Sequence, residues 1–282
     1  MYTLEECEKL WDEAGKHGAA PERMARARRW FPYYSYLAGT MKNAPYSLPE
    51  QPSPFVDFMR RENILRDTDT LLDIGAGMGG FSLEASRYCR SVAALEPNGD
   101  CLGLLRQRAE LCGVENVTPV EGFWETYSPE EAFDVTFSAM CPAICNVEEL
   151  QKMEAMTKRT CCLVAVTRGS YEKHRKAMMQ ELGIRPQGGM TTEAIHYINA
   201  LYLLGRQVNI HCVTTRASYP VPETRILEQY PIYFQIFGIP EEKSAKFLKD
   251  YLERNAVGGF LEDEVLLNQA LIYWDVPEKK WP

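Results

Sequence analysis

The sequence predicts an α/β fold, with a doubly wound, mostly parallel, seven-stranded sheet. A helical segment precedes this sheet, and a helical insertion precedes its last strand. Two observations support the prediction. Short apolar stretches alternate with amphipathic ones between residues 70 and 185, and the apolar stretches are hydrophobic almost throughout, as in parallel strands covered on both faces. A glycine cluster also follows the first strand, where the chain must turn into a helix.

The predicted elements of the central part follow in order along the chain. A proline-rich connector over residues 47–54 leads into a short amphipathic helix over 54–63. Most of the strands that come next are followed by helices, and the helix after the second strand ends at Gly113. The predicted strands cover residues 70–74, 91–96, 117–121, 133–139 and 160–167.

The pattern changes after residue 185. A helix is predicted over 191–205 and an alternating strand over 207–219. Two further helices, within residues 222–259, separate this strand from a final strand over 268–276, so the insertion should lie over one end of the sheet. The chain is therefore divided into a helical and aromatic lid segment (1–50), a core (51–185), and a cap with the last two strands (186–282).

Composition and net charge narrow the range of functions that the protein can have. The 282 residues are 45% hydrophobic and 25% charged, which is typical of globular proteins with a full core. A net charge of −8 disfavours nucleic-acid binding, which needs a basic face. Since no apolar run approaches the ~20 residues of a membrane span, no membrane partner is expected. Nine scattered cysteines without a secretory signal favour reduced thiols and a cytoplasmic location.

The stretch TLLDIGAGMGGFS, residues 70–82, predicts a ligand site. In open α/β sheets, ligands bind at the carboxyl ends of the strands. Gly75, Ala76 and Gly77 follow the first strand and allow a sharp turn close to a ligand. Glu96 ends the second strand, where its carboxylate can accept hydrogen bonds from both hydroxyls of a ribose. Together these features favour an adenosine-type cofactor over a purely structural turn.

Two enzyme classes share this pattern. The spacing of Gly75, Gly77 and Gly80 also fits a dinucleotide fingerprint, which keeps an NAD(P)-dependent oxidoreductase open. Asp73 discriminates between the classes, because its carboxylate would repel a pyrophosphate but attract an amino or sulfonium group. S-adenosylmethionine carries both cationic groups and no phosphate. A third alternative is a protein that binds this cofactor without catalysing a reaction.

Four motifs resemble those of class I S-adenosylmethionine-dependent methyltransferases: LLDIGAGMGG, ALEP, VEGFWET and FDVTFSAMCPAI. The resemblance covers roughly residues 55–170. It implies a Rossmann-like core and S-adenosylmethionine as cofactor. Its implied cofactor residues are Asp73, Gly75, Ala76 and Gly77 for the methionine part, Glu96 and Pro97 for the ribose, Phe123 and Trp124 beside the adenine, and Ser138 near the methyl group. Many family members carry an acidic residue at the position of Phe123, so this chain departs from the pattern there.

The expected reaction is an in-line methyl displacement onto an N, O or S nucleophile. Such a reaction needs alignment and exclusion of water more than a strong catalytic residue. The catalytic residue therefore stays unassigned, with Cys141 and His196 as weak candidates. A small apolar wall residue is the more ordinary interpretation of Cys141. The cysteines lack ligand spacing, and no metal is expected.

The acceptor is expected to be a small, partly apolar molecule. Its pocket is predicted from three sources: the aromatic segment at Tyr33 and Tyr34, the turn at Met140 and Cys141, and the insertion between residues 188 and 260. The acceptor itself stays unnamed, because loops and caps that vary freely on this architecture hold it. The apolar helix face in YPIYFQIFGIP is interpreted either as packing within the chain or as a homodimer surface.

Overall fold

A computed structural model describes residues 3–15, 18–184 and 193–277. The strands in these ranges are β1 Thr70–Ile74, β2 Ser91–Glu96, β3 Val117–Glu121, β4 Phe133–Ala139, β5 Thr157–Val166, β6 Tyr171–Glu172, β7 Asn209–Pro222 and β8 Phe260–Asp275. The helices are α1 Leu4–Gly15, α2 Ala20–Arg28, α3 Phe31–Met41, α4 Pro54–Arg61, α5 Gly80–Ala85, α6 Gly99–Leu111, α7 Val147–Ala155, α8 Lys173–Glu181, α9 Ala194–Leu203, α10 Glu223–Gln235 and α11 Glu241–Asn255.

The strands form one sheet in the order β3-β2-β1-β4-β5-β8-β6, and β7 pairs with the outer side of β8. Strands β1 to β5 are parallel to one another, whereas β8 runs antiparallel to β5, β6 and β7. The doubly wound, mostly parallel sheet is confirmed, but it has eight strands where seven were predicted. The extra strand is β6, whose residues pair with Leu266 and Val265. It forms because the long β8 extends beyond the end of β5.

Helices cover both faces of the sheet. Leu72 and Ile74 belong to the apolar cluster on one face, which also includes Trp11 of α1 and residues of α7 and α9. Leu71 and Val135 belong to the cluster on the other face, with residues of α4, α5 and α6. Because both faces are buried, the central strands are hydrophobic at successive positions, as the sequence indicated.

The helical insertion consists of α10 and α11, which we call the cap. It lies between β7 and β8, as predicted, but is shorter because both strands continue further than expected. Its apolar residues pack with α3 and α8 in a third cluster that includes Tyr33, Tyr233, Phe234 and Leu248. The apolar face considered as a homodimer surface is therefore largely covered within the chain.

Some sequence predictions fall outside the described residues. These include the boundary at residues 185 and 186, the start of the helix predicted from residue 191, and residues 188–192 of the predicted acceptor region. None of the helices in the described ranges is both long and apolar enough to cross a membrane.

Candidate active site

The loop after β1, residues 75–79, is held by backbone hydrogen bonds to β2. The N–H groups of Gly75 and Ala76 both donate to the carbonyl of Leu95, at 2.8 and 3.0 Å. Gly75 and Gly77 have φ angles of +76° and +55°, which favour glycine. A Cβ atom on Gly75 would lie 2.4 Å from the Cys141 sulfur, whereas one on Gly77 would meet no atom within 4 Å. Gly75 is thus needed for packing, and Gly77 leaves space open beside the loop.

Glu96 fixes the same loop from the end of β2. Its Oε2 atom accepts a hydrogen bond from the N–H of Gly77 at 3.0 Å, and its Oε1 atom accepts one from the N–H of Asn98 at 2.9 Å. Burial raises the pKa of Glu96, and these two bonds oppose that rise. Each carboxylate oxygen has a second lone pair, so Glu96 retains the acceptors that a ribose diol requires. The site therefore fits the predicted cofactor at this position.

Asp73 lies beneath the loop and is 2% exposed. Its Oδ2 atom accepts a hydrogen bond from the hydroxyl of Ser82 at 2.5 Å. Burial, with a further contribution from Glu96, raises the pKa of Asp73 to about 7. A cationic group nearby would favour the ionised carboxylate and lower this pKa. The chemistry of Asp73 thus also fits a cofactor that brings positive charge.

Ser138 and Pro97 are the remaining predicted cofactor residues near Asp73 and Glu96. The hydroxyl of Ser138 donates to the carbonyl of Ile74 at 3.0 Å and so joins β4 to β1. Pro97 is half-buried between Glu96 and Asn98. The contacts of both residues with the cofactor stay predictions, and Ser138 already has a structural role.

The turn after β4 brings Met140 and Cys141 to the glycine loop. Met140 adopts a φ of +52°, which is uncommon for a residue with a side chain, and its N–H donates to the carbonyl of Val164 at 2.9 Å. The next residue places its sulfur against Gly75. Burial raises the pKa of Cys141 to about 12. The thiol is therefore protonated near neutral pH, which argues against Cys141 as a nucleophile and favours its interpretation as a wall residue.

Helix α3 is connected to the cofactor edge through Asn98, and we call this helix the roof. The side-chain oxygen of Asn98 accepts hydrogen bonds from the N–H groups of Asp100 and Cys101 and thereby caps α6. Its Nδ2 atom donates to the carbonyl of Phe31 and to the hydroxyl of Ser35, both at 3.3 Å. Asn98 was not predicted as a site residue from the sequence. Asparagine before a helix is a recognisable cap, but its link to the roof is not a local signal.

Phe123 and Trp124 have different surroundings. Phe123 stacks on Phe31 of the roof with ring centroids 6.0 Å apart, and the Arg28 guanidinium lies 4.8 Å from its ring centroid. Trp124 is 3% exposed, and its indole N–H donates to the carboxylate of Glu149 at 2.6 Å. The structure thus places the Trp124 ring in the core, and both adenine contacts stay predictions.

Tyr34 is the predicted acceptor residue that lies with the cofactor groups. Burial, and then the proximity of Tyr33, Cys141 and Glu96, raise the pKa of the Tyr34 hydroxyl. Tyr34 is nevertheless 42% exposed. Tyr33 is buried instead, and its hydroxyl accepts a hydrogen bond from Gln229 of the cap at 2.7 Å. The roof therefore connects the cofactor edge to the cap.

His196, the second candidate for a catalytic residue, lies against helix α1 rather than with the cofactor groups. On α9, its ring stacks on Trp11 of α1 at a centroid distance of 6.0 Å. Burial lowers the pKa of His196, which favours the neutral ring. The structure thus assigns His196 to the packing between α1 and α9, and among the described residues no contact of its ring indicates a catalytic role.

Comparisons with known proteins agree with this geometry. Residues 71–161 match the family described as methyltransferase domain. An uncharacterized protein of Haemophilus influenzae is 22% identical over 232 residues, which cover 82% of this chain and 85% of that protein.

Two solved structures share the fold. The YcgJ protein of Bacillus subtilis superposes with a TM-score of 0.50 at 16% identity, over 79% of this chain and 98% of that one. A proposed methyltransferase of Bacillus halodurans superposes with a TM-score of 0.52 at 13% identity, over 80% of this chain and 100% of that one.

The family match favours a methyltransferase over the oxidoreductase that the glycine spacing had left open. It coincides with the loop, the two strand-end carboxylates and the turn after β4, all of which lie between residues 71 and 161. Residues 71–161 are thus similar to the methyltransferase domain family, and the chain has the fold of the two solved structures.

Proposed function

We propose that the protein is a class I S-adenosylmethionine-dependent methyltransferase that transfers the methyl group of this cofactor to an N, O or S nucleophile of a small molecule. The observation that carries this proposal is the position of the roof, which Asn98 joins to the cofactor edge through hydrogen bonds to Phe31 and Ser35. Tyr34 lies between these two residues in the sequence and close to Glu96 and Cys141. A site covered by a docked helix suits a small acceptor better than a polymer, which needs an open groove. The net charge of −8 adds a second argument against nucleic acid.

Each group of the cofactor edge has a proposed role. Asp73 faces the positive charge of the methionine part, and the backbone from Gly75 to Gly77 lies along it. Glu96 accepts the ribose hydroxyls, with Pro97 beside it. Phe123 borders the adenine on the side of the roof. The bound cofactor supplies a methyl group that is already activated, so the protein has to align the acceptor and exclude water.

The acceptor side needs no strong base in this proposal. The Tyr34 hydroxyl and the Cys141 thiol both have raised pKa values and stay protonated near neutral pH. They act as neutral walls and hydrogen-bond donors, with Met140 beside them. An acceptor whose nucleophile is already unprotonated would react in such a site without a protein base.

The proposal is tested by measuring S-adenosylhomocysteine release with a panel of small metabolites, and with RNA, DNA and protein extracts in parallel. Turnover with a small molecule is expected. Tyr34→Ala should lower it, whereas Tyr202→Ala, at a tyrosine that is 73% exposed on α9, should not. Turnover confined to a polymer acceptor would contradict the proposal.

Further properties stay proposals as well. We expect the protein to act in the cytoplasm, without nucleic-acid or membrane partners. A homodimer remains a prediction, although the helix face first considered for it packs against α3 and α8.

A further inference from the structure

A cleft of about 330 Å³ lies on the α4 and α5 side of the sheet. It is bordered by the ends of these helices and by β4, β5, β7 and β8. Its volume falls at the lower end of the range for small-molecule pockets, so one ring with a short substituent would fit. None of the residues assigned above to the cofactor lines this cleft.

The cleft lies close to the active site along the chain. Ala139, which lines it, ends β4 and comes directly before Met140 and Cys141. Phe81, which also lines it, is the second residue of α5, directly after the glycine loop. His211 lies on the same face of β7 as Val213 and Thr215, and its ring stacks on Phe58 of α4 with ring centroids 3.8 Å apart, so α4 packs against this strand.

Aromatic and aliphatic groups form most of the cleft wall. Phe81 and Phe137 stack with their ring centroids 3.4 Å apart, and Phe55 lines the side formed by α4. Val164 and Val213 add aliphatic surface from β5 and β7. Such a wall favours an apolar ligand body, and its ring faces also attract a cation.

Glu84 is the charged residue of this lining. Its Oε2 atom accepts a hydrogen bond from the N–H of Ser53 at 2.7 Å, which fixes the carboxylate at the edge of the cleft. Within the described ranges its Oε1 atom has no hydrogen-bond partner, and neither do the side chains of Thr215 and Gln269, which also line the cleft. A fixed carboxylate with a free acceptor, beside aromatic rings, matches a ligand that brings a positively charged donor.

We propose that this cleft binds a small organic cation, with an ammonium group on Glu84 and an apolar body against Phe55, Phe81 and Phe137. The ligand is either the methyl acceptor or a separate molecule that binds beside it, and both present the same chemistry to the cleft. The proposal concerns binding, and it stands whether or not the acceptor site lies under the roof.

Calorimetric titration of the whole protein with benzylamine, benzyl alcohol and benzoate tests the charge requirement. These probes share one ring and differ in the charge of the substituent. Benzylammonium is expected to bind in the millimolar range, as is usual for a ligand of this size, and the alcohol about tenfold more weakly. Benzoate should not bind. Equal binding of all three probes, or no benzylamine binding up to about 10 mM, would overturn the proposal.

Two variants locate the site. Glu84→Gln keeps an acceptor for the Ser53 N–H but removes the charge, so it should weaken benzylamine binding about tenfold. Glu110→Gln, at an exposed glutamate on α6, is the matched control and should have no effect. Thr215→Trp, on the exposed strand β7, should block the cleft by its size alone. Unchanged benzylamine binding in both Glu84→Gln and Thr215→Trp would place the amine elsewhere and contradict the proposal.

Two further measurements separate this proposal from the methyl-transfer proposal. The affinity of Glu84→Gln for S-adenosylhomocysteine should match that of the unaltered protein, since Glu84 has no role at the cofactor edge. Incubation with S-adenosylmethionine then distinguishes the sources of the ligand: a methylated amine identifies an acceptor, and an unchanged amine that still binds identifies a separate ligand. Failure of the methyl-transfer proposal would appear as absent turnover, with amine binding intact.

Discussion

The two sides of the active site are built from different parts of the chain. On the cofactor side, backbone groups of the glycine loop bond to Leu95 and Glu96 on the adjacent strand, so the sheet itself sets the geometry. On the acceptor side, the roof is positioned by side chains, through Asn98, Phe123 and Gln229. A loop held by backbone hydrogen bonds tolerates few substitutions, whereas contacts between side chains can be replaced one at a time. Substitutions on the cofactor side should therefore have the larger effects.

The largest effect is expected from Gly75→Ala. The new Cβ would lie 2.4 Å from the Cys141 sulfur, in a backbone conformation with φ of +76°. Overpacking and backbone strain together predict a loss of about 2–4 kcal/mol in the free energy of unfolding. Gly77→Ala is the matched control, since it is strained but meets no neighbour, and should cost about 1–2 kcal/mol. Urea unfolding of the cofactor-free protein measures both.

A double variant isolates the steric part of this loss. Cys141→Gly removes both atoms that the new Cβ would approach, so it should recover part of the stability of Gly75→Ala and none of that of Gly77→Ala. Equal losses at Gly75 and Gly77 would mean that the contact with Cys141 does not constrain the loop.

Glu96→Ala should weaken S-adenosylhomocysteine binding by about 2–3 kcal/mol, because a charged acceptor of several hydrogen bonds is lost. The Gly77 N–H also loses its partner, which loosens the loop. Glu121→Ala is the matched control, since Glu121 pairs with Glu96 in the β2–β3 register but is exposed. Isothermal titration gives both dissociation constants. An unchanged value in a folded Glu96→Ala protein would remove Glu96 from the cofactor site.

The difference between the two sides also explains what the sequence could predict. The bounds predicted for the first four strands match the structure, because continuous apolar runs end there at turn residues. Strand β7 runs over Asn209–Pro222 rather than 207–219, and β8 begins at Phe260 rather than at 268, because the added residues of the two strands pair with each other. Strand β6 was not predicted, because a two-residue strand depends entirely on its partner.

The residues of the active site were also predictable only where neighbouring residues in the sequence form the contact. The glycine loop and Glu96 were predictable because a strand end and its turn are neighbours in sequence. The burial of Trp124 depends on Glu149 of α7, and the position of the roof depends on Asn98. Such contacts join distant parts of the chain, so no local pattern of residues reveals them.

Substitution of Asp73 should have an intermediate effect on cofactor affinity, and this effect should depend on pH. Burial raises its pKa to about 7 in the free protein, and a cationic ligand should lower it, so the complex favours the ionised form. Affinity for S-adenosylhomocysteine should therefore fall as the pH drops below about 7, by at most about tenfold per pH unit. Asp73→Asn should bind more weakly at pH 8 and lose most of this dependence. The same slope in Asp73→Asn would assign the proton to another group.

Protonation of Asp73 affects stability in the opposite direction: it stabilises the cofactor-free fold, whereas it weakens ligand binding. The folded, cofactor-free protein binds the Asp73 proton more tightly than the unfolded chain, since burial raises the pKa of Asp73 above its ordinary value. This group therefore stabilises the free fold progressively as the pH falls from about 7 toward 4. Asp73→Asn should raise the melting temperature of the free protein at pH 8, which thermal unfolding measures.

The smallest effect on cofactor binding is expected from the roof. Phe31→Ala removes the stacking on Phe123, worth about 0.5–1.5 kcal/mol, but leaves the Phe31 carbonyl and Ser35 to bond Asn98. S-adenosylhomocysteine affinity should thus fall by about 1 kcal/mol or less, while hydrogen exchange in α3 becomes faster. Tyr36→Phe is the control on the same helix, because Tyr36 bonds Glu228 of the cap instead. If Phe31→Ala weakened S-adenosylhomocysteine binding as much as Glu96→Ala, the roof would be as important for cofactor binding as the glycine loop, and the distinction between the two sides would fail.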